Sequence, residues 1–175
     1  MTNLSVAPPA IDVVDDAVPL SPDQPTWALR RQRDKVVAAT QSSHDAMFSH
    51  AVEGLSRTEH LLVALHACRV SNATTLVAHY RDRLAGENAD AAVTDAVERG
   101  EIDSLADPRL RAMLSFAGRL IERPIEGDRA AIEALAAQGL STPALVALSQ
   151  LIAFLSYQVR VVAGLKALAG AEASA

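Results

Sequence analysis

One stretch of this chain concentrates the residue types that do chemistry. Between Ser56 and His79 lie Glu59, His60, His66, Cys68 (the only cysteine) and His79. An acid and a histidine within reach of each other can move a proton next to a carbonyl, given a base that titrates near neutral pH. His66 follows Glu59 by seven residues, so the two share a helix face about two turns apart. His79 joins them only if the chain folds back in between. Cys68 sits in an apolar helix between Ala67 and Arg69. A guanidinium beside it would favour the thiolate and make it a nucleophile, whereas a free cysteine in an aliphatic core is an inert filler. His and Glu are also zinc ligands, but no H-x-x-x-H or H-E-x-x-H spacing occurs, so no metal is expected. There is no glycine-rich phosphate loop, G-x-S-x-G or nucleotide fingerprint, and no cofactor is expected. His44 and His50 fall on a polar helix and are expected to face solvent.

The elements that must position these residues read as helices throughout. Ser56-x-x-Glu59 is a capping box, in which the serine side chain accepts from a free amide and the glutamate reaches back to the serine amide. The helix it opens turns Leu62, Ala64 and Leu65 toward a core and ends near Arg69-Val70. Ser71-Asn72 then offers a new cap, and a helix carrying His79 runs from Thr74 to about Leu84, closed by Gly86. Another spans Ala89 to Arg99 and stops at Gly100. Asp107-Pro108 caps a helix from Arg109 to Ile121, with Leu110, Met113, Leu114, Ala117 and Leu120 on one face. Asp128 to Gln138 forms a short helix ended by Gly139. From Pro143 to about Leu168 runs a long helix apolar on most faces, which must be buried within the fold or between subunits. Upstream, a helix from Thr26-Trp27 to Ala39, with Trp27, Val36 and Val37 as buried candidates, precedes a short one from His44 to Val52.

Residues 1–25, with Pro8, Pro9, Pro19, Pro22 and Pro25, read as an extended arm. Its Ile11, Val13, Val14 and Leu20 are apolar enough to lie along a neighbouring surface, another subunit's included. Residues 26–170 form the single domain and 171–175 a tail. Half of the 175 residues are apolar and only 3% are aromatic, so the core is aliphatic and favours packed helices over a sheet. A net charge of −5 disfavours nucleic acid as a partner. The only basic run, Arg30-Arg31-Gln32-Arg33, reads as a solvated helix face rather than an anion site. No segment has the roughly 18–20 uninterrupted apolar residues of a membrane span, so no membrane partner is expected. Asp15 and Asp16 stand where a signal peptide would carry basic residues, and the expected location is the cytoplasm.

The frame of Ser56, Glu59, an apolar helix, the break at Ser71-Asn72 and a second helix bearing His79 resembles the carboxymuconolactone decarboxylase and alkylhydroperoxidase-D-like family. The likeness extends through Arg109 to Ile121, Gly139-Leu140-Ser141 and Tyr157-Gln158-Val159-Arg160, covering roughly residues 30–168 and resembling the peroxidase-related branch. It implies an all-α fold, homo-oligomers (dimers, trimers or hexamers of dimers), and an acid facing a C-x-x-C with a histidine three or four residues further on. Counting back from His79, the lost cysteines fall on Asn72 and Thr75 or on Ala73 and Leu76. The family's acid falls on His60 or Leu61, next to Glu59. Asn72 and Thr75 cannot be oxidised and recycled as thiols are, and are expected only to cap the helix. The first expectation is therefore a redox-inactive binding or partner protein, acting with copies of itself or beside a C-x-x-C-bearing relative. The alternatives are an acid–base enzyme on a small carbonyl or lactone substrate using Glu59 and His79, with His66 assisting, and a single-cysteine peroxidase using Cys68.

Overall fold

In a computed structural model that describes residues 12–49 and 54–174, every regular element is helical. Most helices start where a short polar side chain meets the free amides of a first turn. Asp12 caps α1 (Val13–Ala17), Ser56 caps α4 (Arg57–Val70), and Asp90 caps α6 (Ala91–Arg99). Asp107, Asp128 and Ser141 cap α7 (Pro108–Glu122), α8 (Arg129–Ala137) and α9 (Thr142–Glu172). Such a cap is worth about 1 kcal/mol against alanine. The capping box at α4 is complete: the Ser56 amide donates to Glu59 Oε2 at 2.6 Å, and the Glu59 amide to Ser56 Oγ at 3.2 Å.

Three expectations about the first half need correction. Residues 26–49 do not break at Ala39. The break falls at Gln32-Arg33, between α2 (Pro25–Arg31) and α3 (Asp34–Ser49), and α3 carries Ala39 and His44 in one helix. Positions 50–53, with His50, lie outside the described residues. Trp27 and Val37 are only half-buried, and Val36 is exposed. The arm is not extended over its whole length. Val13, Val14 and Ala17 of α1 are buried in this chain's own core, because Asp12 closes the first turn and its acids meet α2. Arg30 pairs with Asp12 at 2.7 Å and Asp15 at 2.8 Å, and Arg31 with Asp15 at 2.6 Å.

The centre of the fold is α4. Its residues 60–68 are all buried, and α3, α5 (Thr74–Gly86), α6, α7 and α9 pack around it. A helix surrounded in this way cannot be amphipathic, which is why its sequence shows little periodicity. α9 has 31 residues and is long and apolar enough to cross a membrane by length and composition alone. Here Leu148, Leu151, Ile152, Leu155 and Val162 are buried in the core. Val146, Tyr157 and Leu168 of the same helix stay exposed on this chain.

One polar link crosses this core. The Tyr80 hydroxyl donates to Gln158 Oε1 at 2.7 Å, and both side chains are fully buried. Gln158 Nε2 has no partner among the described residues, so there the pair is under-satisfied. Tyr80→Phe is expected to lower stability by about 1–3 kcal/mol in urea unfolding, because it strands the Gln158 oxygen as well. Adding Gln158→Leu should recover part of that loss; two additive losses would show that the bond does not couple the two helices.

Candidate functional site

At the turn between α4 and α5 the chain reverses without any thiol. The Ala73 amide donates to the Cys68 carbonyl and the Asn72 amide to the Arg69 carbonyl, both at 2.9 Å, and Asn72 takes φ +55°. That is a helix-stop geometry, in which a left-handed residue satisfies the last carbonyls. Asn72 and Thr75 were expected to cap α5, and neither does. Ser71 ends α4, Ala73 occupies the cap position of α5 without a side-chain bond, and Thr75 instead accepts from Lys166 Nζ of α9 at 2.8 Å. In the other register Ala73 is half-buried and Leu76 fully buried.

Cys68 lies on α4, one turn before this stop, with no exposed surface. Burial pushes its thiol well above the usual range. A thiolate there would have to survive without water, so the group is a neutral core side chain.

Glu59 and His79 sit in separate polar groups. Glu59 Oε2 accepts from the Ser56 amide, and its Oε1 from Arg109 Nε of α7 at 2.9 Å. Arg109 also donates to the carbonyls of Gly54 and Gly139, so this carboxylate anchors a clamp joining α4, α7 and the turn before α9. Burial opposes ionisation of Glu59, but the Ser56 amide and the Arg109 guanidinium outweigh it and hold the carboxyl below the usual range. Arg57, in the same first turn, pairs at 2.9 Å with Glu87 just beyond α5. Glu87 lies eight residues past His79, or about 12 Å along a helix. His60 is buried and its Nδ1 meets its own helix at the Ser56 carbonyl, 2.9 Å away. His66 is buried against Gly118 of α7, where a Cβ would come within 3.1 Å of its Nε2. Its Nδ1 has no partner, and burial, then Arg69, lowers its pKa to about 4.

The structure brings His79 together with three residues that the sequence did not point to. His79 Nδ1 lies 3.3 Å from Asp16 Oδ2, just after α1's first turn, and its Nε2 is buried without a partner. The His44 ring approaches His79 edge-on at 6.0 Å between centroids. His44 was expected to face solvent, but it is buried at 6% exposure. Arg83 Nη1 lies 3.0 Å from His44 Nε2; because arginine can only donate, that nitrogen accepts, and the ring proton sits on Nδ1 facing Asp45 at 3.2 Å. Arg83 itself stacks 4.7 Å above the Phe48 ring, which also touches Tyr80. Burial is the first cause that lowers the pKa of both histidines. The arrangement is two neutral imidazoles, each oriented by a carboxylate, in an aromatic surround. No local pattern announces it, because α1, α3 and α5 meet only through the tertiary fold. Among the described residues no three His, Cys, Asp or Glu side chains converge on a metal position.

These histidines make stability depend on pH. In the unfolded chain each imidazole protonates near pH 6.5, whereas in the fold protonation is resisted. The unfolded state therefore binds more protons as pH falls, and stability present above about pH 6.5 is lost below it. For His66 alone, a drop from the ordinary value to about 4 corresponds to a loss of about 2 kcal/mol between pH 7 and pH 5. The urea midpoint should fall over that range, and less steeply in His66→Gln; an unchanged slope in that variant would remove His66 from the account.

No family profile matches the sequence, and no curated protein matches it. Among the solved structures that share its fold are two peroxidase-related proteins. One is an uncharacterized peroxidase-related protein from Silicibacter sp. TM1040, with a TM-score of 0.67 at 16% identity over 73% of this chain. This chain spans 66% of that protein's length. The other, described as an alkylhydroperoxidase AhpD core and an uncharacterized peroxidase-related protein from Ralstonia eutropha JMP134, gives a TM-score of 0.60 at 21% identity. It covers 86% of this chain and 78% of its own. The order of helices, with α4 enclosed by the rest, is therefore the all-α fold of the alkylhydroperoxidase AhpD core.

Proposed function

We propose that this chain is a redox-inactive bearer of the AhpD-core fold, working as a binding or partner protein rather than as a thiol peroxidase. The observation that carries this reading is the state of its one thiol. Peroxide reduction needs a thiolate that reaches the peroxide oxygen and a second thiol to resolve the sulfenic acid. Cys68 is enclosed and neutral, and the α5 start, where a helix N-terminus would favour a thiolate, holds Asn72, Ala73, Thr74 and Thr75. The partners proposed are copies of this chain and a C-x-x-C-bearing relative. The exposed Val146 and Leu168 on the outer side of α9 support association through that helix.

A second reading, acid–base chemistry on a small carbonyl or lactone substrate, is favoured by one feature. Asp16 faces Nδ1 of His79 and leaves Nε2, though buried, without a partner among the described residues and able to accept a proton. Glu59 gives it less support, because both of its oxygens are held in the clamp.

Purified protein assayed with hydrogen peroxide and an organic hydroperoxide, under several thiol reductants, should show no turnover above the buffer, and Cys68→Ser should behave as the parent. Turnover that Cys68→Ser abolishes would overturn the first reading. Lactone turnover lost in both His79→Ala and Asp16→Asn, with the fold intact, would replace it with the second. The solution mass should exceed that of one chain and fall in Val146→Asp; a monomer at micromolar concentration contradicts self-association.

A further inference from the structure

The joint between α2 and α3 leaves a groove closed on its far side by α9. Its volume is about 320 Å3, roughly the share of liquid taken by ten water molecules. Leu29, Val36, Val37 and Val161 form its walls, and Leu29 and Val36 are 51% and 50% exposed. Apolar side chains set side by side in a concave groove can take up the hydrocarbon part of a small ligand.

The polar groups of the groove define what that occupant carries. No aspartate or glutamate lines it, although the chain as a whole has a net charge of −5. Two arginines do line it. Those of the basic run are unequal: Arg30 is fully engaged by Asp12 and Asp15, and Arg31, outside the groove, by Asp15. Arg33, which also lines the groove, has no partner among the described residues. The floor offers no competing donor. The Thr40 hydroxyl gives its one hydrogen to the Val36 carbonyl at 2.9 Å, so Tyr157, 2.9 Å from Thr40 Oγ1, must be the donor in that contact. Its hydroxyl hydrogen is then spent, and its ring serves as wall. An anionic head group is therefore met only at the α2–α3 joint, by Arg33 with the Gln32 amide beside it. One planar guanidinium matches the charge and fork of one carboxylate; a phosphate dianion would call for more cations.

From this we infer a binding site, between α2, α3 and α9, for a small apolar monocarboxylate, with its carboxylate on Arg33 and its hydrocarbon body along Leu29, Val36 and Val161. The inference rests on the reading of the chain as a binding protein and names the ligand class. The volume suits a body of roughly six to ten carbons.

The test is calorimetric titration of the full chain with octanoate, beside octanol (the same body without charge) and acetate (the charge without the body). Octanoate should bind saturably at one site per chain, and both controls at least tenfold more weakly. Arg33→Gln should weaken octanoate about tenfold and leave octanol unchanged. Val36→Asp should abolish octanoate binding while retaining the parent helical circular dichroism. Equal binding of octanoate and octanol, no effect of Arg33→Gln, or no saturable heat would each overturn the site. So would a solution mass that falls in Val36→Asp without octanoate binding in the parent, because the groove would then belong to a second copy. Peroxide turnover, by contrast, would sink the redox-inactive reading whatever the octanoate isotherm shows.

Discussion

The structure depends on the enclosure of α4. Nine consecutive residues from His60 to Cys68 are withdrawn from water, and five other helices form the shell that does it. Every polar group carried on those two and a half turns must therefore be neutral or satisfied locally. His60 turns to its own helix, His66 is kept uncharged beside Gly118, and Cys68 keeps its proton. The same enclosure withdraws the chain's only thiol from water.

Charge is pushed to the two sides of this core, and it stays in separate groups. Glu59, at the open end of α4, ties the start of α7 and the turn before α9 through Arg109. His79 looks the other way, toward the N-terminal segment and His44; Asp16 orients the His79 imidazole, Asp45 that of His44, and Arg83 fixes the His44 tautomer. An acid and a histidine that look like a pair along the sequence thus serve different ends, one as a clamp and the other as part of a buried cluster. α1 is what links that cluster to the basic run of α2. Its Asp12 and Asp15 hold Arg30 and Arg31, while Asp16 meets His79.

The features legible in the sequence were those set by local chemistry. The capping box at Ser56, the Asp107-Pro108 start, the Gly100 and Gly139 stops and the Ser141-Thr142-Pro143 entry all depend on residues within one turn of each other, and each helix boundary they imply is close to the observed one. The all-α character followed from the same signals. What escaped was set by distant partners. Ser71-Asn72 has the composition of an N-cap, but the backbone uses it to close α4, because Asn72 tolerates the left-handed conformation that this stop requires. His44 sits on a helix of low apolar contrast and reads as a surface residue until Phe48, His79 and Arg83 are brought around it. Val36 is apolar yet exposed, and no local pattern separates such a residue from a core valine. The basic run could not be divided into paired and unpaired arginines until α1 was placed.

The only thiol of this AhpD-core fold is buried, and burial keeps it protonated in the native state. The direct measurement is the rate at which Cys68 reacts with iodoacetamide, followed by intact mass at pH 8, in native protein and in urea. Native labelling should be slower than denatured labelling by at least the factor that unfolding must supply, on the order of several thousandfold for a domain stable by about 5 kcal/mol. Native labelling at a rate comparable to that in urea would contradict it, placing an accessible thiolate in a core that is described here as closed.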